Sequence, residues 1–126
     1  MPNQVSNPNT KIFNLEERTA KFGEDILKFV KTIKIIDINR NIISQLIKSS
    51  TSIGANYCEA DGAESKKDFQ HKIGICKKES KETKHWLRML AITNEERINE
   101  CRKFWQEAQE LTLIFSKIIS NSKLSK

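Results

Sequence analysis

Apolar side chains recur along most of this chain at alternating intervals of three and four residues. That spacing keeps one stripe of a helix turned toward a neighbour. A first segment gives Leu15, Thr19, Phe22, Ile26, Phe29 and Ile33, and a second gives Ile42, Leu46, Ser49, Ile53, Asn56 and Ala60. A third gives Phe69, Ile73, Cys76, Ser80, Thr83, Leu87 and Leu90, and a fourth gives Ile98, Cys101, Trp105, Ala108, Thr112, Phe115 and Ile119. No segment alternates with the period of two that a half-buried strand needs. Both prolines fall within the first eight residues, so the interior divides at caps and not at breakers.

Asn14 with Glu17 opens a first helix over 15–34, and a second begins at 37–39 and runs to Ala60, where Asp61-Gly62 suits a left-handed stop. Ser65 with Asp68 opens the third helix and Thr93 with Glu96 the fourth. Short connections make sequential helices antiparallel neighbours. The expectation is an all-α, antiparallel up-down four-helix bundle over residues 14–121, with a disordered arm over 1–13 and a flexible tail over 122–126.

The stretch SSTSIGANYCEA, residues 49–60, places small and polar residues where a core helix ordinarily carries leucine. Ser49, Ser50, Ser52, Gly54 and Ala55 allow another helix to come close. Asn56 lies on the seam with Glu59 at its margin, and the third seam is polar at Ser80 and Thr83. These four residues are expected to form a structural polar layer, because polar seam positions fix register at some cost in stability. Apolar surface is also in surplus. Tyr57 with Ile43 and Ile47 forms a second stripe, Trp86 lies off the third seam, and Phe104 and Trp105 are adjacent and cannot both face inward. Tyr57, Trp86 and Trp105 are therefore expected at an oligomer interface.

Composition narrows the function. The chain has 126 residues and a formal net charge of +6, and its mean hydropathy is −0.56. It has no long apolar run, and the N-terminal stretch lacks the basic and apolar regions of a secretory signal, so a cytoplasmic protein is expected. Cys58, Cys76 and Cys101 have no paired spacing and are expected as small core side chains. Between Lys66 and Arg88 stand eight Lys/Arg against three carboxylates, so this segment carries most of the net charge. Lys77, Lys81, Lys84 and Arg88 form one helical ridge that Lys67 continues, a pattern able to track phosphates.

Catalytic signals are weak. Glu82 and His85 make a single Glu-x-x-His where a di-metal bundle needs two, and no nucleophile elbow, phosphate loop or HExxH occurs. The expectation is a non-enzymatic protein without metal or cofactor.

Residues 49–90 resemble the family named after the 23S ribosomal RNA intervening sequence protein. Its small-residue run is matched by Ser52, Gly54, Ala55, Asn56, Glu59 and Ala60, and its Ser-x-x-Asp/Glu-Phe by Ser65, Asp68 and Phe69. Its Lys-Glu-Ala/Ser-x-Glu-Thr-x-x-Trp-Leu is matched by Lys78, Glu79, Ser80, Glu82, Thr83, Trp86 and Leu87. The resemblance implies an antiparallel four-helix bundle assembled as a ring-like homopentamer, without established enzymatic activity, whose genes sit in segments inserted into bacterial 23S ribosomal RNA genes and elsewhere. Structured RNA or another nucleic acid is the expected partner. The alternative is a scaffold or adaptor for another protein, such as a nucleic-acid-processing enzyme.

Overall fold

A computed structural model describes residues 14–124; the expected arm over 1–13 and the last two tail residues lie outside them. Four long helices follow one another: α1 (Leu15–Lys31), α2 (Asp37–Asp61), α3 (Lys66–Thr93) and α4 (Ile98–Leu124), with a single 3-10 turn, Glu95–Arg97, leading into the last. No strand occurs among the described residues. Helix α4 extends through residues 122–124, part of the expected tail.

The helices surround one core. Along the α2–α3 contact, Ser49 meets Thr83, Ile53 meets Cys76 and Glu59 meets Lys72, so numbers rise along one helix as they fall along the other. The same reversed pairing joins α1 to the C-terminal chain, where Arg18 meets Glu107 and Thr32 meets Arg97. The first and third seams pack largely as their spacing predicts, with Leu15, Phe22, Ile26, Phe29, Ile73, Cys76, Leu87 and Leu90 all buried. Phe69, at the start of the third, is only partly buried.

Two seams differ from the sequence reading. In α2 it is Ile43 that is buried, while Ile42 packs at the margin. In α4, Phe104 turns inward against Phe22 and Phe29, with ring centres 6.3 and 5.1 Å away, and Trp105 stays outside. Leu111 is fully buried between the expected seam positions Ala108 and Thr112. An α-helix of 3.6 residues per turn drifts by about 20° per heptad against a 3.5-residue repeat, so adjacent positions exchange roles along a long helix.

The caps are also redistributed. Ser65 Oγ accepts from Asp68 N at 2.9 Å, as expected. Asn14 makes no side-chain cap bond, and Thr93 is the last residue of α3, its hydroxyl donating back to Leu90 O. Gly62 closes α2 at φ −98°, so the left-handed stop expected there does not form.

The small residues of α2 serve the α1–α2 crossing. A Cβ added at Gly54 would sit 3.3 Å from Thr19 Oγ1 and 3.4 Å from the Thr19 carbonyl carbon, and one at Gly23 would sit 3.5 Å from Thr51 Cα. Gly54→Leu is therefore expected to cost about 1–3 kcal/mol by overpacking. Gly74→Ala is expected to stabilise by roughly 1 kcal/mol, since Gly74 lies inside α3 with nothing within 4 Å of the added carbon and alanine is the better helix former. Urea denaturation of both variants checks the opposite signs.

Candidate nucleic-acid interface

Helix α3 starts cleanly because Ser65 caps its first turn and Asp68 places a carboxylate beside the exposed N–H groups. From there it runs 28 residues, long enough to carry a continuous outer ridge beside its buried seam. Lys67, Lys81 and Arg88 are exposed and Lys77 is half-buried. Their spacing puts Lys77, Lys81 and Arg88 on one side of the helix, spread over about 16 Å of axis. A shallow concavity of about 410 Å³ along α3 is lined by Gly74, Lys77, Lys78, Lys81, Glu82 and His85.

Lys84 does not hang free with the others. Its Nζ donates to Gln109 Oε1 on α4 and stands 5.2 Å from the centre of the Trp105 ring, so it is a cation fixed at the α3–α4 seam. Beyond it, Leu87, Arg88, Ala91, Ile92, Ile98, Cys101, Arg102 and Trp105 line a groove of about 400 Å³ between the end of α3 and the start of α4. Two arginines and no carboxylate border that groove.

Two acidic side chains of α4, Glu107 and Glu110, are turned elsewhere. Arg18 of α1 donates through Nε and Nη2 to both oxygens of Glu107, at 2.7 and 2.8 Å, and through Nη2 to Glu110 Oε1 at 2.9 Å. The bond to Glu107 is the main reason that the Arg18 guanidinium is held above its ordinary range. A forked, partly exposed pair of this kind contributes roughly 1 kcal/mol. Its larger consequence is to hold these carboxylates toward α1. The groove between α1 and α2, about 580 Å³, is in turn lined by Glu16, Glu17 and Glu24 beside Ala20, Gly23 and Gly54. The two grooves thus differ in charge, one bordered by carboxylates and the other by arginines.

The polar layer forms with different partners from those expected. Ser49 and Thr83 hydroxyls lie 2.9 Å apart across α2 and α3, and each is also within reach of a carbonyl of its own helix, Leu46 O or Glu79 O. Ser80 bonds back to Cys76 O at 2.9 Å. Asn56 is outside this layer and donates to Ser52 O on its own helix. Glu59 is exposed and takes Lys72 Nζ at 2.6 Å. Ser49 was the missing partner: its position on the seam was legible, but its pairing spans 34 residues of chain.

A second buried pair had no sequence signal beyond two asparagines. Asn39 is fully buried, accepts from Ile36 N at 2.8 Å, and donates to Lys34 O at 3.0 Å and to Asn94 Oδ1 at 3.2 Å. It ties the α1–α2 connection to the α3–α4 connection at one end of the molecule. Among the described residues every buried side-chain nitrogen or oxygen has a partner.

Of the expected interface aromatics, Tyr57 and Trp86 pack against the core, Tyr57 at 6.4 Å from Phe115, and only Trp105 is exposed. Other exposed large apolar side chains are Leu27, Leu113 and Leu124, and Ile35, Ile36, Ile38 and Ile92, these four at the end tied together by Asn39 and Asn94.

Cys76 and Cys101 are buried, and burial pushes their thiols up to about 12 and about 11. Cys58 is exposed, in correction of the expected core position. Because thiolate is the reactive species, one thiol per native chain is expected to react with a disulfide reagent at mildly alkaline pH, rising to three in denaturant. Glu82 and His85 are both exposed. Among the described residues no three His, Cys, Asp or Glu side chains gather as a metal-ligand set, and no helix is long and apolar enough to cross a membrane.

A family model described as 23S rRNA-intervening sequence protein matches residues 13–117. Among solved structures, the chain is similar to a crystal structure of a protein of unknown function from the S23 ribosomal protein family of Bacteroides thetaiotaomicron. The two are 29% identical with a TM-score of 0.72, over 82% of this chain and 96% of that one. No curated protein matches the chain.

Proposed function

The chain belongs to the 23S rRNA-intervening sequence protein family, and on that footing we propose that it is a non-enzymatic nucleic-acid-binding bundle, directed to structured RNA or to another nucleic acid. The carrying observation is the cationic side of α3, where Lys77, Lys81 and Arg88 share one face and lead into a groove without a carboxylate. Such a surface attracts a polyanion by displacing its counterions and reads no base sequence by itself. The reversed helix pairings support an antiparallel up-down arrangement, and the cytoplasm is its expected compartment.

Self-association, as a ring of five by the family resemblance, is part of the same proposal. Its support is the cluster of exposed isoleucines, Ile35, Ile36, Ile38 and Ile92, at one end of the bundle. That cluster also favours the second reading, a scaffold whose partner is another protein.

Fluorescence anisotropy with labelled RNA and DNA, repeated across salt concentrations, tests the proposal. With three phosphate contacts, affinity is expected to fall more than tenfold between 50 and 200 mM salt, by the general dependence of about −0.7 to −0.9 in logarithmic slope per contact. Binding that is absent, or indifferent to salt, rejects it. Recovery of a protein partner without nucleic acid then favours the scaffold. Absolute mass in solution tests the subunit number.

A further inference from the structure

We propose that the groove between the end of α3 and the start of α4 is a base-stacking subsite for single-stranded nucleic acid, with Trp105 as the platform and Arg88 and Arg102 holding the flanking phosphates. The inference rests on the nucleic-acid reading above and narrows its ligand, at this end of the molecule, to an unpaired strand.

Three observations converge. First, Trp105 is the large aromatic that the core does not take. Phe104 fills the position against Phe22 and Phe29, Trp86 packs against the core, and Trp105 is left 36% exposed beside an apolar floor of Leu87 and Cys101. Secondly, the ring is held in place before any ligand arrives. Lys84 Nζ lies over one face of the ring and is bonded to Gln109, one turn further along α4, whereas the groove is bordered by Arg102, one turn earlier. An ordered platform loses little freedom on binding.

Thirdly, charge selects the occupant. An apolar peptide seated here would leave two guanidiniums without counter-charge, and α4's carboxylates are engaged elsewhere, Glu107 and Glu110 by Arg18 and Glu100 by Arg97. A nucleotide supplies a flat apolar face for the indole and an anion for each arginine, the combination found on single-strand-binding surfaces. Within a duplex the base faces are covered by their neighbours in the stack, so the platform is open only to unpaired bases and to a helix end. The ridge of Lys77, Lys81 and Arg88 gives the backbone of the strand a path into the groove.

The test uses the full chain with Trp86→Phe, so that Trp105 is the sole indole, and two probes, a short unstructured oligoribonucleotide and a long, fully complementary duplex. The single strand is expected to quench Trp105 fluorescence. Trp105→Ala is expected to weaken single-strand binding by roughly tenfold or more, with an unchanged salt slope and little effect on the duplex, while Trp105→Phe retains most of the affinity. Arg102→Ala is expected to lower the slope by about one unit. If Trp105→Ala binds the single strand as the parent does, the stacking site is overturned while salt-dependent binding elsewhere on α3 stands. Altered subunit number with unaltered binding makes the groove a protein interface and overturns it as well. If the parent binds neither probe, this inference and the broader reading fall together.

Discussion

Lys77→Ala, Lys81→Ala and Arg88→Ala combined are expected to lower affinity for RNA on the order of 100- to 1,000-fold at 0.1 M salt. Each lost phosphate contact removes about one unit of salt slope, and three units act over the decade between 0.1 M and the 1 M reference. The three positions lie on the outer side of α3, two exposed and one half-buried, so folding stability is expected to stay within about 0.5 kcal/mol of the parent. The comparison that gives the result meaning is Lys28→Ala, Lys31→Ala and Lys34→Ala combined. That variant removes the same charge from exposed positions in the last turn of α1 and just beyond it. It is expected to cost only a few-fold, through the general field of the molecule. Equal losses in the two variants would mean that net charge alone is sensed, and α3 would lose its assignment.

Asn39→Leu is expected to destabilise the fold by about 2–4 kcal/mol, because it withdraws buried partners from Ile36 N and Lys34 O and one of the two donors that reach Asn94 Oδ1. At this chain length that corresponds to a fall in Tm of about 10 °C. Asn56→Leu makes the informative contrast. Asn56 is half-buried and bonds only to Ser52 O within its own helix, so the change is expected to cost less than about 1 kcal/mol. A double-mutant cycle between Asn39 and Asn94 isolates their shared bond from the backbone contacts. If Asn39→Leu melts with the parent while Asn56→Leu collapses, the polar organisation described above is wrong.

Much of the candidate interface was legible in the sequence. A ridge written at intervals of four, three and four on a helix whose opposite stripe is apolar has only one side left for its lysines. The structure adds what spacing alone does not carry. Lys84 is drawn out of the free ridge by Gln109 and Trp105, residues more than twenty positions away. Glu107 and Glu110 of α4 are drawn toward α1 by Arg18, which is 89 and 92 residues distant from them. The family resemblance added a kind of bundle and an RNA context, but no atom of the groove around Trp105.

By itself, the order of apolar and polar residues determined four helices, their approximate limits and most of the core, because burying a stripe on each helix leaves little choice of fold class. Only tertiary structure decided that Phe104 and not Trp105 enters the core, that Ser49 and not Asn56 meets Thr83, and that Asn39 meets Asn94. The reason is that a long helix drifts out of a seven-residue register, so the facing helix selects between neighbours. A buried polar group, likewise, accepts whichever distant partner the packing brings within hydrogen-bonding reach.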